Sequence, residues 1–343
     1  MILFDDIGSY PLPEGVLKPW IAEAVKRNDP KFHSIIRDSM RQKIKAGVDV
    51  PTYPQFQDMN QQFLNVINDE KCSEEPLLVR KDKARIIELE ALEEVGAEHE
   101  KMAGIKLNVR VCVTGPMELY LKEFGGTAYS DVLNAFASSI DRFIGNSIEN
   151  AKHIRIATVS IDEPSIGINP LIMFKDSDLM EALEKAAKTA SSHKIDTEIH
   201  LHSPLHYKVV CNVPSINVIG VESAANASYL DLIDKKDLED NDKFLRIGVA
   251  RTDIFNMAAA LNEKYGMNVW KEPSKLEEIT RQMETPDTIK KRLEKAYGIF
   301  GDRIRYAGPD CGLGSWPSQE MAFEHLLNTG IGIKEFIKIA KLG

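Results

Sequence analysis

Residues 154–164 read Ile154-Arg155-Ile156-Ala157-Thr158-Val159-Ser160-Ile161-Asp162-Glu163-Pro164, and their reading decides the fold. The run from Ile154 to Ile161 has the length and the β-branched content of a strand. It stops on two carboxylates, and Pro164 prevents a helix from starting at once. Upstream, Ser130 to His153 repeats apolar residues every three or four positions. Downstream, Ser177 to Ser192 opens with Asp178 three residues before Glu181, a capping-box pattern. Helix, strand, polar turn and helix is the unit, and it recurs. Strand-like runs also occupy Ile2 to Phe4, Leu107 to Val113, Ile195 to Leu201, Ile216 to Val221, Leu245 to Val249 and Ile304 to Ala307, with Val48 to Val50 a weaker one. Further helical segments span Lys83 to Met102 and Lys275 to Phe300. About eight strand candidates, most followed by a helix, imply parallel strands with right-handed crossovers. No GxGxxG follows the first strand, which disfavours a dinucleotide-binding sheet. The expected fold is α/β: a single (β/α)8 TIM barrel over residues 1–343, with an N-terminal extension and helical elaborations.

Composition agrees. The 343 residues are 43% hydrophobic and 28% charged, enough for a large core and incompatible with a disordered chain. Forty-three basic against 52 acidic residues give a net charge of −9, which argues against a nucleic-acid partner. No apolar run reaches the roughly 18 residues of a membrane span, and MILFDDIGSY has no basic leader pattern, so a cytoplasmic protein is expected. Cys72, Cys112, Cys211 and Cys311 are far apart and form no CxxC pair, so they are read as thiols or ligands rather than disulfides.

In such a barrel the chemistry sits where strands end. Here those ends are unusual. Ile7-Gly8-Ser9-Tyr10-Pro11 follows the first run, and Thr114-Gly115-Pro116 follows Leu107 to Val113. Asp162-Glu163-Pro164, His200-Leu201-His202-Ser203-Pro204, Glu222-Ser223 and Pro309-Asp310-Cys311-Gly312-Leu313 end four others. His202, Glu222 and Cys311 offer nitrogen, oxygen and sulfur, all acceptable to zinc. Each also has a bland reading: a core histidine, a helix cap, a small buried residue. His200 and His202 share a strand face, so both can point inward. Asp162 can hold a substrate ammonium or serve as a base, and the Ile7-Gly8-Ser9 turn offers N–H groups and a hydroxyl to a carboxylate.

As a set and in this order, these motifs resemble the catalytic C-terminal barrel of cobalamin-independent methionine synthase, within the superfamily that includes uroporphyrinogen decarboxylase. The resemblance implies a (β/α)8 barrel. It puts His202, Glu222 and Cys311 at zinc-ligand positions and Ile7, Ser9 and Asp162 at homocysteine-binding positions, with Asp162 facing the ammonium. The implied reaction is methyl transfer to a thiol activated by zinc.

Several positions depart from the family pattern. Pro204 stands where the family has a second cysteine ligand, so the fourth zinc ligand is expected to be His206, then Cys211, water or the substrate sulfur. Gln55 replaces a glutamate that helps hold the ammonium. Phe255 stands where a histidine commonly protonates the folate leaving group, and no second, folate-binding barrel accompanies this one. A methylcorrinoid, either free methylcobalamin or one on a corrinoid carrier protein, is therefore the expected donor, and homocysteine or another small thiol the acceptor. Two other classes remain open. One is a decarboxylase of the uroporphyrinogen type, which would want arginines around its substrate; the other is a non-catalytic corrinoid- or metal-binding barrel.

Overall fold

Parallel strands from both ends of the chain curl into one sheet in the computed structural model, which describes residues 2–342. In chain order the strands are β1 (Leu3–Phe4), an outlying antiparallel hairpin of β2 (Ser73–Glu75) and β3 (Leu78–Val79), then β4 (Leu107–Thr114), β5 (Ile154–Asp162), β6 (Asp196–Leu201), β7 (Val218–Val221), β8 (Phe244–Ala250) and β9 (Ile304–Pro309). The sheet runs β1-β9-β8-β7-β6-β5-β4.

The gap between β1 and β4 is filled by an eighth stave at residues 50–52. It makes parallel bridges from Asp5 to Val50 and from Thr52 to Arg110. Val50 N donates to Phe4 O at 3.1 Å, and Arg110 N donates to Pro51 O at 3.0 Å. Pro51 and Pro54 have no N–H to give a ladder, so this stave pairs through isolated bridges. That is why Val48 to Val50 reads weakly as a strand. The result is a (β/α)8 barrel, as expected. Its N-terminal elaboration is helical: Lys18–Arg27 and Pro30–Lys45 lie between β1 and the stave.

Two helix expectations need correction. Lys275 to Phe300 is not one helix. It divides into a short helix at Pro273–Leu276, a π-helical turn at Ile279–Met283 and a helix at Pro286–Phe300. Pro286 forces Thr285 out of the helical region (ψ 158°), and the Thr285 hydroxyl caps the new start by accepting from Thr288 N at 3.3 Å. The other correction shifts a cap. The helix Asp176–Ser192 begins earlier than its sequence pattern indicates, and Asp178 is its third residue, accepting from Lys175 N at 3.2 Å.

The barrel interior is charged as well as apolar. Arg110 on β4 donates from Nη1 to Asp5 Oδ2 and to Glu198 Oε2, each at 2.6 Å, and Arg246 Nε on β8 donates to Asp5 Oδ1 at 3.0 Å. All four side chains are fully buried, and two cations balance two anions. Glycines make the room: a Cβ at Gly220 would stand 2.7 Å from Glu198 Oε1, and one at Gly308 2.0 Å from the Asp5 carbonyl. Such a set gives little net stability, but loss of one member strands the others in low dielectric.

Candidate active site

Because every barrel strand is parallel, the carboxyl ends of β5, β6, β7 and β9 open on one face. Register then decides which side chains meet. Asp162 pairs with His200 and His200 with Gly220, which sets these strand ends level with one another. His200, His202, Glu222 and Cys311 bring their donor atoms within 4.8 Å of one another. His200 Nε2 lies 3.3 Å and His202 Nε2 3.5 Å from Glu222 Oε1, and Cys311 Sγ lies 3.9 Å from His202 Nε2. The His200 side chain is 3% exposed and that of His202 40%, so the group opens to solvent on the His202 side.

The expected fourth partner, His206, is not in this group. Pro204 starts a 3-10 turn at Pro204–His206, capped by the Ser203 hydroxyl, which carries the chain outward. His206 ends exposed against Gly167, where a Cβ would lie 3.2 Å from its Nδ1. Cys211 is buried in the helix Tyr207–Cys211, away from the group, and burial pushes its thiol up to about 11. The histidine that joins is His200, two residues before His202 on the same strand face. Proximity in sequence favoured His206; strand alternation favours His200.

The donors fit a metal. Glu222 Oε1 and both ring nitrogens of His200 are buried with no hydrogen-bond partner, and the 3.3 Å contact between them lacks hydrogen-bond alignment. Buried polar atoms are normally paired. Here unpaired lone pairs converge with a thiol sulfur, a set suited to zinc. Their electrostatics agree. Burial pushes the Cys311 thiol up, but the neighbouring imidazoles of His200 and His202 together outweigh it and hold the thiol at about 7. Burial also disfavours the charged forms of His200 and His202, yet Cys311 and Glu222 raise both above the usual imidazole value. Burial raises Glu222 less than its two histidine neighbours lower it. Two anionic groups thus draw positive charge into one buried spot.

Two buried carboxylates fix loops at this end of the barrel. Asp310, next to Cys311, accepts from Ala224 N at 2.9 Å and Ala225 N at 2.8 Å, tying the turn after β9 to the loop that bears Glu222. Burial pushes its pKa up to about 7. Glu163 accepts from Met117 N at 2.8 Å and Glu118 N at 2.9 Å at the start of the helix Pro116–Phe124, and burial raises it to about 8. Neither role was legible in sequence, because both bonds run to backbone on a different βα loop.

The remaining expected site residues line the same mouth. Asp162 is 7% exposed. Its Oδ1 accepts from the Ser160 hydroxyl at 2.6 Å, and no hydrogen bond to Oδ2 occurs among the described residues. Ser9 pairs with Gln55 in an isolated parallel bridge, and its Oγ accepts from Gly314 N at 3.1 Å. Gly312 and Gly314 let that turn close on Ser9: a Cβ at either would lie within 2.7 Å of the hydroxyl oxygen. Ile7 is buried just before Gly8, whose φ of +45° gives the turn its shape. Concavity does not mark this site. Two large grooves, about 720 and 750 Å3, lie along the helix Ile87–Ala103 and at the opposite, amino end of the strands.

Among the described residues no helix is long and apolar enough to cross a membrane. No family model and no curated protein matches the sequence. Solved structures do. A B12-independent methionine synthase from Shewanella sp. W3-18-1, in complex with selenomethionine, superposes with a TM-score of 0.65 at 15% identity, over 100% of both chains. The homocysteine methyltransferase MmuM from Escherichia coli, apo form, gives a TM-score of 0.46 at 11% identity over 96% of this chain and 95% of its own. The likeness is one of fold: along its full length this chain is a barrel built like that of the methionine synthase.

Proposed function

We propose that the protein is an enzyme, a zinc-dependent methyltransferase that transfers a methyl group to the thiol of homocysteine to give methionine, with a methylcorrinoid as donor. The observation that carries this reading is the convergence of donor atoms from His200, His202, Glu222 and Cys311 at the carboxyl ends of three strands, those of His200 and Glu222 buried without a partner. His202, Glu222 and Cys311 would hold the metal, and one further position is left for His200 or the substrate sulfur. A zinc ion there would supply the Lewis acidity that brings a thiol pKa toward neutrality.

The chain's own groups do the rest. Asp162, nearly enclosed, offers a free oxygen to the substrate ammonium. The Ser9 hydroxyl accepts from Gly314 N, so its own hydrogen remains for a substrate carboxylate, and Ile7 packs the turn that presents it. In the transfer a sulfur–carbon bond forms, the bond from donor to methyl breaks, and the thiol proton leaves to solvent. With a methylcorrinoid as donor, the electron pair of the bond to methyl would stay with the cobalt, a leaving group that needs no proton from the protein. A tetrahydropterin nitrogen must be protonated first. Phe255, 65% exposed at the start of the helix after β8 and packed against Trp270, has no proton to give. A decarboxylase reading would want free arginines, but Arg110 and Arg246 are committed to Asp5 and Glu198 deep in the barrel. All four cysteines are free, which fits a reducing compartment such as the cytoplasm.

The test is single-turnover transfer to homocysteine by zinc-loaded protein, with methylcobalamin and methyltetrahydrofolate at matched concentration and methionine read by mass spectrometry. Faster transfer from methylcobalamin is expected. Faster transfer from the folate overturns the donor assignment, and no methionine from either overturns the function.

A further inference from the structure

Behind the Ile7-Gly8-Ser9 turn, a line of buried side chains carries hydrogen bonds in a single direction. It begins at Glu88, fully buried in the first turn of the helix Ile87–Ala103. Glu88 Oε1 accepts from Gln57 Nε2 at 2.7 Å, and Oε2 accepts from Gln62 Nε2 at 3.2 Å. Both oxygens accept, as those of an ionised carboxylate do; burial raises the Glu88 pKa to about 7, so this acceptor-only form is the one that prevails above that pH. Gln62, whose amide nitrogen is spent on Glu88, must turn its oxygen the other way, and there it accepts from Gln55 Nε2 at 3.1 Å. Tyr53 closes off the alternative. Its hydroxyl donates to Cys112 O at 2.6 Å and lies 3.5 Å from Gln62 Nε2, so it too wants the nitrogen of Gln62 on its side.

The polarity of this chain fixes its end. Gln55 has its nitrogen facing Gln62, so its oxygen faces the Gly8 turn, where a Cβ on Gly8 would stand 2.9 Å away. Among the described residues no group donates to that oxygen, although Gln55 is only 7% exposed. Gln55 itself is bridged to Ser9 at the barrel mouth. Glutamine is a symmetric choice, able to present a donor or an acceptor. Here the buried carboxylate two side chains back selects the acceptor.

We propose that Glu88 is a positioning residue which, through Gln62, locks Gln55 with its carbonyl oxygen toward the barrel mouth and so, together with Asp162, makes the site select a substrate that carries an ammonium group. This rests on the proposed amino-acid substrate and extends it: selectivity for an α-amino acid over a simple thiol would be encoded outside the residues that touch it. Ser9 and Asp162 stay as they are in any variant of the relay, so its contribution can be read separately.

The experiment is calorimetric binding of methionine and of its deaminated counterpart, methylthiobutyrate, to the zinc-loaded wild type and to Glu88→Gln. The amide in the variant can donate as well as accept, which frees Gln62 and Gln55 to flip. Methionine affinity should fall about 10- to 100-fold, as expected for loss of one buried hydrogen bond to a charged group. Methylthiobutyrate affinity should stay within about twofold, since that ligand has no ammonium to lose. Gln62→Leu severs the same relay without touching Glu88 and should give the same asymmetry, so a folding defect in one variant leaves the other to decide. Equal weakening of both ligands, unchanged methionine affinity in both variants, or a wild type indifferent to the ammonium each overturns the proposal. A wild type that prefers methionine yet makes none from homocysteine overturns the function alone.

Discussion

Replacing Asp162 by asparagine keeps the shape of the side chain and removes only its charge. Asp162 ends β5 at 7% exposure, so solvent screens its interactions weakly. One oxygen is occupied by the Ser160 hydroxyl at 2.6 Å, and the other is free for a substrate N–H. Burial raises its pKa, and the His200 charge and the Ser160 hydrogen bond oppose that rise. A single charge-assisted hydrogen bond in such a setting contributes about 1.5–3 kcal/mol, and the asparagine can direct its N–H group at the cation, so a total loss of about 2–4 kcal/mol is expected. At about 1.4 kcal/mol per decade this is roughly 30- to 1,000-fold in kcat/KM for homocysteine. The ammonium lies away from the reacting sulfur and is held equally before and during transfer, so the loss should appear in KM, with kcat nearly preserved. Initial rates of methionine formation over a range of homocysteine concentrations separate the two. Wild-type KM, or a loss confined to kcat, would refute the placement of the ammonium at Asp162.

Other consequences follow from the same geometry. Asp310→Asn should weaken zinc binding about 10- to 100-fold, as outer-shell partners of metal ligands commonly do, because the loop bearing Glu222 loses its anchor to the turn bearing Cys311; competition with a chromophoric chelator reads this, and unchanged affinity counts against the anchor. Arg110→Met should cost about 3–5 kcal/mol in urea unfolding, and a second change, Glu198→Leu, should recover much of it; a double variant no more stable than the single one would contradict the charge balance inside the barrel. His325 is fully buried against Trp316 with both ring nitrogens unpartnered, and burial drops its pKa from 6.5 to about 4. The folded state thus resists protonating it, and the stability it carries is intact above pH 6.5 and lost as the pH falls toward 4. At about 1.4 kcal/mol per decade that is about 3 kcal/mol, so the stability difference between wild type and His325→Phe should shift by that amount between pH 7 and pH 4, whereas parallel curves would show that His325 is not the group involved.

The barrel was legible because its strands are written as apolar runs with polar ends, and each of those from Leu107 onward begins or ends within a few residues of its run. The stave at residues 50–52 was faint because Pro51 and Pro54 remove the donors that make a strand regular. Within the site, His202, Glu222 and Cys311 stood out as ligand types at strand ends, and the structure brings them together. His206 was the expected fourth donor, but the turn at Pro204 redirects the chain after β6 and the structure brings His200 to the group instead. Glu88, Asp310 and the Arg110 network were illegible for another reason. Their partners are backbone amides or side chains on other elements, and no local pattern records a contact made across the barrel.

X-ray absorption at the zinc edge of the zinc-loaded protein decides whether His202, Glu222 and Cys311 hold one metal, with His200 in the fourth position while no substrate is bound. One zinc per chain is expected, with a sulfur at ~2.3 Å and lighter ligands at ~2.0–2.2 Å. The sulfur shell should vanish in Cys311→Ala, affinity should fall in His200→Ala, and His206→Ala should match the wild type. A protein that retains no zinc, or a spectrum with no sulfur neighbour in the wild type, would contradict this ligand set.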